Sequence, residues 1–199
     1  MAEKNPSLEQ LRFAMREWVP LSDLQWRTFS GIFTQRFARA GEQLLHPGAS
    51  QHELWFVCDG LLRFYYLGEN GAESNKAFVT DGFAGPLAAS VLDLPIVYGV
   101  EALEDSTLLA ADFVSFRMLF DEHPVFERFG RKLAELLLTR KELRTRSLLQ
   151  QSATERYLTF KQTHPDLLAL VPQYHIASYL GITEASLSRI KRDINASVT

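Results

Sequence analysis

With Cys58 as its only cysteine, the sequence excludes an internal disulfide framework and any iron–sulfur cluster held by several thiolates of one chain. It also lacks any uninterrupted apolar run near the roughly 20 residues that a membrane span needs. The opening stretch, MAEKNPSLEQ, has no apolar segment of the kind that marks a secretion signal. A cytoplasmic location is therefore expected. Equally missing are a nucleophile elbow, a phosphate-binding glycine loop and a convincing pair of catalytic carboxylates, so no enzyme is expected.

What is present is enough for a well-buried core. At 199 residues and 46% hydrophobic content, the chain can build one large core, or one core and a small satellite domain. Its net charge of −3 is unevenly placed. Residues 1–124 carry 9 Lys+Arg against 17 Asp+Glu, a balance of −8, whereas residues 125–199 carry 12 against 7, a balance of +5. An acidic front and a basic back suggest modules with different partners, and the basic back suits phosphate contacts.

The texture of the chain changes twice. Residues 7–31 read as two short helices, the first with Leu8, Leu11, Met15 and Val19 on one face, the second following Pro20 with Ser22 as a cap. From about 33 to 113 come short β-type runs such as ELWFVCDG, LLRFYYLGENG and STLLAAD, with glycines at 41, 60, 71 and 82 at the expected turns. This pattern predicts a closed sheet or jelly roll. After HPVFERFG the period becomes helical. Phe126, Phe129, Leu133, Leu136 and Leu143 share one face, widened by Leu137 and Leu148, over a helix of twenty-odd residues. Such a stripe can pack on its own barrel or against its copy in a second subunit, and the five residues are taken as a dimer seam. SATERYLTFKQTHP predicts another helix, with a Ser152–Glu155 capping box and Pro165 as its stop.

The segment QYHIASYLGITEASLSRIKRD, residues 173–193, has the spacing of a helix-turn-helix. Ala177 is the fifth residue, where a small side chain lets two helices approach. Gly181 is the ninth, where the chain must turn through a left-handed conformation. Ile176, Leu180, Ile182, Leu187 and Ile190 supply the apolar contacts, and Thr183 caps the second helix. Geometry then turns Glu184, Ala185, Ser188, Arg189 and Arg192 outward with Lys191 at the rim, and these six, with Thr183 at the helix start, form the face that would enter a major groove of double-stranded DNA. Arg189 suits guanine, while Lys191 and Arg192 suit phosphates. Glu184 can accept from a cytosine amine or merely stabilise the helix start. An αα-hairpin with solvated charges is the plainer alternative.

Taken together, ELWFVCDGLLRFYY, DGFAGPL, VEALEDSTLLAAD, SATERYLTF and the terminal segment resemble the cyclic-AMP receptor protein/Fnr (Crp/Fnr) family of transcription regulators over roughly residues 30–194. The resemblance implies an α+β chain: an N-terminal β jelly roll of the cyclic-nucleotide-binding type with its leading helices (1–121), a long dimerisation helix (122–150), and a small helix-turn-helix domain (151–199). It implies a homodimeric DNA-binding regulator reading a palindromic operator, with RNA polymerase as a further candidate partner. The family's ligand cassette is changed here. Where the resemblance places a ribose-binding carboxylate and a phosphate-gripping arginine, the sequence reads Gly85, Pro86 and Leu87, then Ile96 and Val97. A buried phosphate without a cationic partner is strongly disfavoured, so cAMP binding is not expected.

Arg63 could partly substitute for the missing arginine, although an exposed strand arginine is the simpler expectation. Phe56, Tyr65, Phe78, Phe83, Leu87 and Tyr98 could line a pocket for an uncharged, unidentified small-molecule effector, or serve as barrel core. No resident cofactor is expected. Only residues 195–199 follow the second helix of the pair, so no β-hairpin wing is expected either. Two other readings stay open. One is a ligand-binding or protein-interaction module with a degenerate DNA-binding end. The other is a metal-dependent barrel enzyme of the cupin type, for which HPGASQHE offers His46, His52 and Glu53 without a His-x-His pair.

Overall fold

The computed structural model describes residues 5–196. Helix α1 (Pro6–Trp18) starts on a proline, with the Asn5 side chain accepting from the Ser7 amide at 3.0 Å, and buries Leu11 and Met15. Helix α2 (Asp23–Gly31) opens with a full capping box in which Ser22 and Gln25 satisfy each other's amides. Both agree with the sequence reading, to within the residue or two by which helix ends vary.

Eight strands follow: β1 (Thr34–Ala38), β2 (Gln43–Leu45), β3 (Glu53–Asp59), β4 (Leu62–Leu67), β5 (Glu73–Val79), β6 (Gly82–Ala84), β7 (Gly99–Ala102) and β8 (Ser106–Asp112). A short helix, α3 (Leu87–Leu92), interrupts them after β6. They form two four-stranded sheets in the orders β1-β8-β3-β6 and β2-β7-β4-β5, the crossed connectivity of a jelly roll. Strand β3 pairs antiparallel with β6 and β8, Trp55 lying opposite both Ala84 and Ala110. Leu54, Trp55, Phe56 and Val57 are all buried, and this explains why β3 reads as a continuous apolar run rather than an alternating one.

Two helices carry the chain onward. The sequence reading did not separate α4 (Phe113–Glu122), which is capped by Asp112 through the Ser115 amide at 2.8 Å. Helix α5 (Pro124–Gln150) runs 27 residues. Its first half corrects the expected dimer seam. Phe126, Phe129 and Leu133 are at most 3% exposed within their own chain. Phe129 lies 5.6 Å from the Phe29 ring, 4.9 Å from Phe83 and 5.9 Å from Phe116, and Phe126 stacks on Phe29 at 6.1 Å. These rings are core, out of reach of a second copy. Gly130 has its own reason: a Cβ there would sit 2.4 Å from the Phe120 ring, so its absence lets α4 close on α5.

The chain divides into two compact units, one running to Phe64 and resuming over Phe78–Leu136, the other combining Tyr65–Ala77 with the residues from Leu137 onward. The second unit therefore holds the hairpin end of β4 and β5, the last turns of α5, and helices α6 (Ala153–Thr163), α7 (Leu167–Leu170), α8 (Gln173–Leu180) and α9 (Glu184–Ala196). Ser152 and Glu155 form the expected capping box on α6, while α7 went unseen in the sequence. The core of this unit is built from Tyr157, Phe160, Leu167, Val171, Ile176, Ala177, Leu180, Leu187 and Ile190.

Candidate nucleic-acid interface

Helices α8 and α9 meet as the spacing requires. Ala177 is 1% exposed between them, and the chain turns at Gly181, whose φ of 68° is open to glycine at little cost. The last carbonyls of α8 have partners outside the pair. Arg156 Nε donates to the Leu180 carbonyl at 2.8 Å, and the Arg144 guanidinium donates to the Tyr179 carbonyl while lying 4.0 Å over the Tyr179 ring. Two cations of the basic back are thus spent on ending α8, an arrangement that stabilises a helix C-terminus.

Thr183 caps α9: its hydroxyl accepts from the Ser186 amide at 3.2 Å, and its carbonyl accepts from Leu187. Leu187 and Ile190 point into the core, with Ile182 half-buried beside them. That fixes the rest of the helix by its 3.6-residue period. Thr183, Glu184, Ala185, Ser188, Arg189 and Arg192 are exposed, with Lys191 half-exposed at the edge, so all seven predicted DNA-face residues come together on one ridge. Arg192 is tempered by Asp193, whose carboxylate stands 3.9 Å from its Nε. The expectation of no wing concerns a segment that α9 itself occupies up to Ala196, and residues 197–199 lie outside the described residues.

Another lysine in this unit is electrostatically strained. Burial, and after it the Lys141 ammonium, pull the Lys76 amine down to about 8 from the ordinary lysine value of 10.5. Between those values the unfolded chain binds more protons at this amine than the folded one, so the Lys76 contribution to stability rises as pH climbs from about 8 to about 10.5. Urea unfolding across that window should show the native chain gaining stability relative to Lys76→Met as pH rises. An identical pH response in the variant would contradict this assignment.

The ligand cassette lies in the first unit and is tied into the fold itself. Gly85, at φ 132°, passes so close to β3 that a Cβ would stand 2.5 Å from the Glu53 carbonyl. The Pro86 carbonyl accepts from both the amide and the hydroxyl of Ser90, each at 2.9 Å, and Leu87 begins α3. Ile96 is fully buried and exchanges backbone hydrogen bonds with the segment at Gly48 and Ala49, whereas Val97 is 67% exposed. No charged side chain stands at any of these positions.

Nearby aromatics pack on one another: Phe56 lies 5.2 Å from Phe83, which also meets Trp18 at 5.9 Å, and Tyr98 lies 5.9 Å from Phe64 and donates to the Gly85 carbonyl. Phe78 is half-buried, and Tyr65 is buried within the other unit.

Arg63 departs from expectation. It is not an exposed strand arginine but is 3% exposed on β4, with Nε 3.1 Å from the Glu101 carboxylate on β7 and a second, shorter bond from its terminal nitrogen. The pair joins two neighbouring strands, and the carboxylate helps the buried guanidinium do without water. Glu101 was missed in the sequence, although a lone carboxylate inside the apolar run GVEAL was a signal. Cys58 is half-buried, and burial pushes its thiol up. Among the described residues, no group of three or more His, Cys, Asp or Glu could hold a metal ion. His52 instead faces Ser90 at 3.2 Å and Asp93 at 3.8 Å. No helix among the described residues is long and apolar enough to cross a membrane.

Comparison with known proteins fits this architecture. The family model of the cyclic nucleotide-binding domain matches residues 35–123. No curated protein matches the sequence significantly. Among solved structures, FixK2 from Bradyrhizobium japonicum is similar with a TM-score of 0.71 at 18% identity, covering 83% of this chain and 86% of its own. A putative transcriptional regulator of the Crp/Fnr family from Eubacterium rectale scores 0.70 at 16% identity, covering 89% and 85%. A CooA mutant from Carboxydothermus hydrogenoformans scores 0.66 at 20% identity, covering 85% and 79%. Residues 35–123 therefore match the cyclic nucleotide-binding domain model, and most of the chain has a fold similar to that of FixK2 and of the Crp/Fnr-family regulator from Eubacterium rectale.

Proposed function

We propose that the chain is a cytoplasmic, homodimeric, DNA-binding transcription regulator of Crp/Fnr type and not an enzyme. Its roll and leading helices (1–121) form the sensor module, the segment 122–150 with α5 the dimerisation helix, and the segment 151–199 a helix-turn-helix domain that reads a palindromic operator. The observation that carries this reading is the single ridge of α9, where Thr183, Glu184, Ala185, Ser188, Arg189 and Arg192 face solvent while Leu187 and Ile190 anchor the helix from behind. Such a helix enters the major groove with side chains from its N-terminal half on base edges and its cations on phosphates.

Dimerisation falls to the second half of α5, where Leu138, Leu143 and Leu149 are more than half exposed. Leu136 and Leu143, seven residues apart, remain the part of the original seam that a second copy can reach. The roll does not take cAMP: Pro86, Ile96 and Val97 offer neither a carboxylate for a ribose nor a guanidinium for a cyclic phosphate. Any effector is a different small molecule, and it would act by shifting the dimer between two arrangements of α5 and so of the paired α9 helices. RNA polymerase is the expected second partner.

Binding to a fluorescent duplex pool, followed by anisotropy as salt is raised, tests the reading. Affinity should fall linearly on logarithmic axes, because phosphate contacts release counterions. A folded protein that binds no duplex at low salt would refute it. One observation favours a second reading, a protein-interaction or ligand-binding module with a degenerate DNA-binding end: Glu184 is exposed at the leading end of the same ridge, where it would repel phosphates.

A further inference from the structure

The second unit contains a contact that DNA reading does not require. Tyr65–Ala77, the hairpin of β4 and β5, is tied to α8 at three points. Ser178 Oγ accepts from the Asn75 amide at 2.9 Å and donates to the Glu73 carbonyl at 3.1 Å. The Asn75 side-chain amide donates to the His175 carbonyl at 2.8 Å and stands 3.2 Å from His175 Nδ1. Asn75 and His175 are each only 5% exposed, so these bonds are shielded from water.

Beyond the hydrogen bonds a cleft of about 450 Å³ opens between Glu73 and Ser74 of the hairpin and the turn into α9, with Thr183 and Glu184 on its far wall. The hairpin thus flanks the leading end of the ridge proposed to enter DNA. It is also the wrong charge for that position. Tyr65–Ala77 carries Glu69 and Glu73, both exposed, against one cation, the half-buried Lys76. In a helix-turn-helix complex the first helix crosses the sugar-phosphate backbone while the second lies in the groove. A backbone following α8 past Ser178 would meet the hairpin, and Glu73 would repel its phosphates.

We propose that the hairpin is an autoinhibitory clasp: Asn75 and Glu73 hold α8 through Ser178 and His175, which sets a carboxylate beside the exposed leading end of α9, and must let go for full binding. This rests on the DNA-reading function proposed above. It makes the sensor roll's own hairpin the element that an activating signal displaces, so the coupling free energy between signal and DNA is stored in the hydrogen bonds at Ser178 and Asn75.

Two variants test it in the full chain. Ser178→Ala removes both hydroxyl bonds, and Glu73→Gln removes the carboxylate while keeping the backbone carbonyl that Ser178 uses. Amide hydrogen exchange reports the clasp, and anisotropy with a duplex reports binding. Ser178→Ala should exchange the Asn75 amide faster and bind DNA about 5-fold or more tightly. Glu73→Gln should bind more tightly at low salt, with unchanged exchange and a gain that fades as salt screens the charge. Unchanged exchange in Ser178→Ala would overturn the clasp. Faster exchange with equal or weaker binding would overturn its inhibitory role and make the hairpin a positioning strut. Faster exchange with no duplex binding by any of the three proteins would instead sink the DNA-reading function, and the inhibitory role with it.

Discussion

Arg189→Ala is expected to lose sequence-specific DNA binding by about 5- to 150-fold for each half-site, the equivalent of about 1–3 kcal/mol for one bidentate arginine–guanine pair. The side chain is exposed in the middle of the α9 ridge, one residue before buried Ile190, so its removal leaves the helix anchored. Surface substitutions of this kind shift stability by less than about 0.5 kcal/mol. Binding and folding should therefore separate: urea midpoint unchanged, operator affinity collapsed. A two-fold symmetric dimer would feel the loss twice, once in each half-site. Lys191→Ala should behave differently, weakening binding to all sequences alike and reducing the salt slope, because a phosphate contact carries no sequence information. If Arg189→Ala binds its operator like the native protein, the ridge is a solvated surface and the regulator is degenerate.

The second large effect concerns stability. Glu101→Gln should destabilise the first unit by about 3 kcal/mol, because it leaves the Arg63 guanidinium, 3% exposed, without its carboxylate. The cost comes less from a lost attraction than from keeping a buried cation in place after the carboxylate beside it is gone. Replacing both partners together, Arg63→Met with Glu101→Leu, should recover most of the loss, as exchanging a buried pair for apolar groups of similar volume is often neutral or better. Chemical denaturation of the single and double variants, read as a cycle, separates the pair's coupling from the cost of changing either member alone. Equal destabilisation by the single and the double change would show that the pair is merely tolerated.

Much of this molecule was readable before its coordinates, and the limits have physical causes. The terminal pair was legible because its constraints are local. Ala177, Gly181 and Thr183 each do one job fixed by their offset within some ten residues, and the exposed ridge follows from helical period. The caps at Ser22 and Ser152 were legible for the same reason.

The face of α5 was legible as a stripe but not as to its cover. Periodicity says that Phe126, Phe129 and Leu133 are buried, yet the rings that meet Phe126 and Phe129, namely Phe29, Phe83 and Phe116, stand 13 to 100 residues away in sequence. Arg63 was misread because strand alternation does not reveal which strands are covered on both faces, and its partner Glu101 lies 38 residues on. The hairpin contact was invisible for the same reason, with about 100 residues separating Asn75 from His175. Helix α4 hid in a run of phenylalanines that reads equally well as strand.

The central claim is that the outward ridge of α9 reads duplex DNA, and selection of bound fragments from a randomised duplex library by the intact protein at low salt tests it most directly. The account predicts enrichment of a two-fold symmetric site whose half-sites lie about one helical turn apart, at 10–10.5 base pairs centre to centre or a multiple of it. A folded chain that retains duplexes without enriching any symmetric sequence, or retains none, would contradict it.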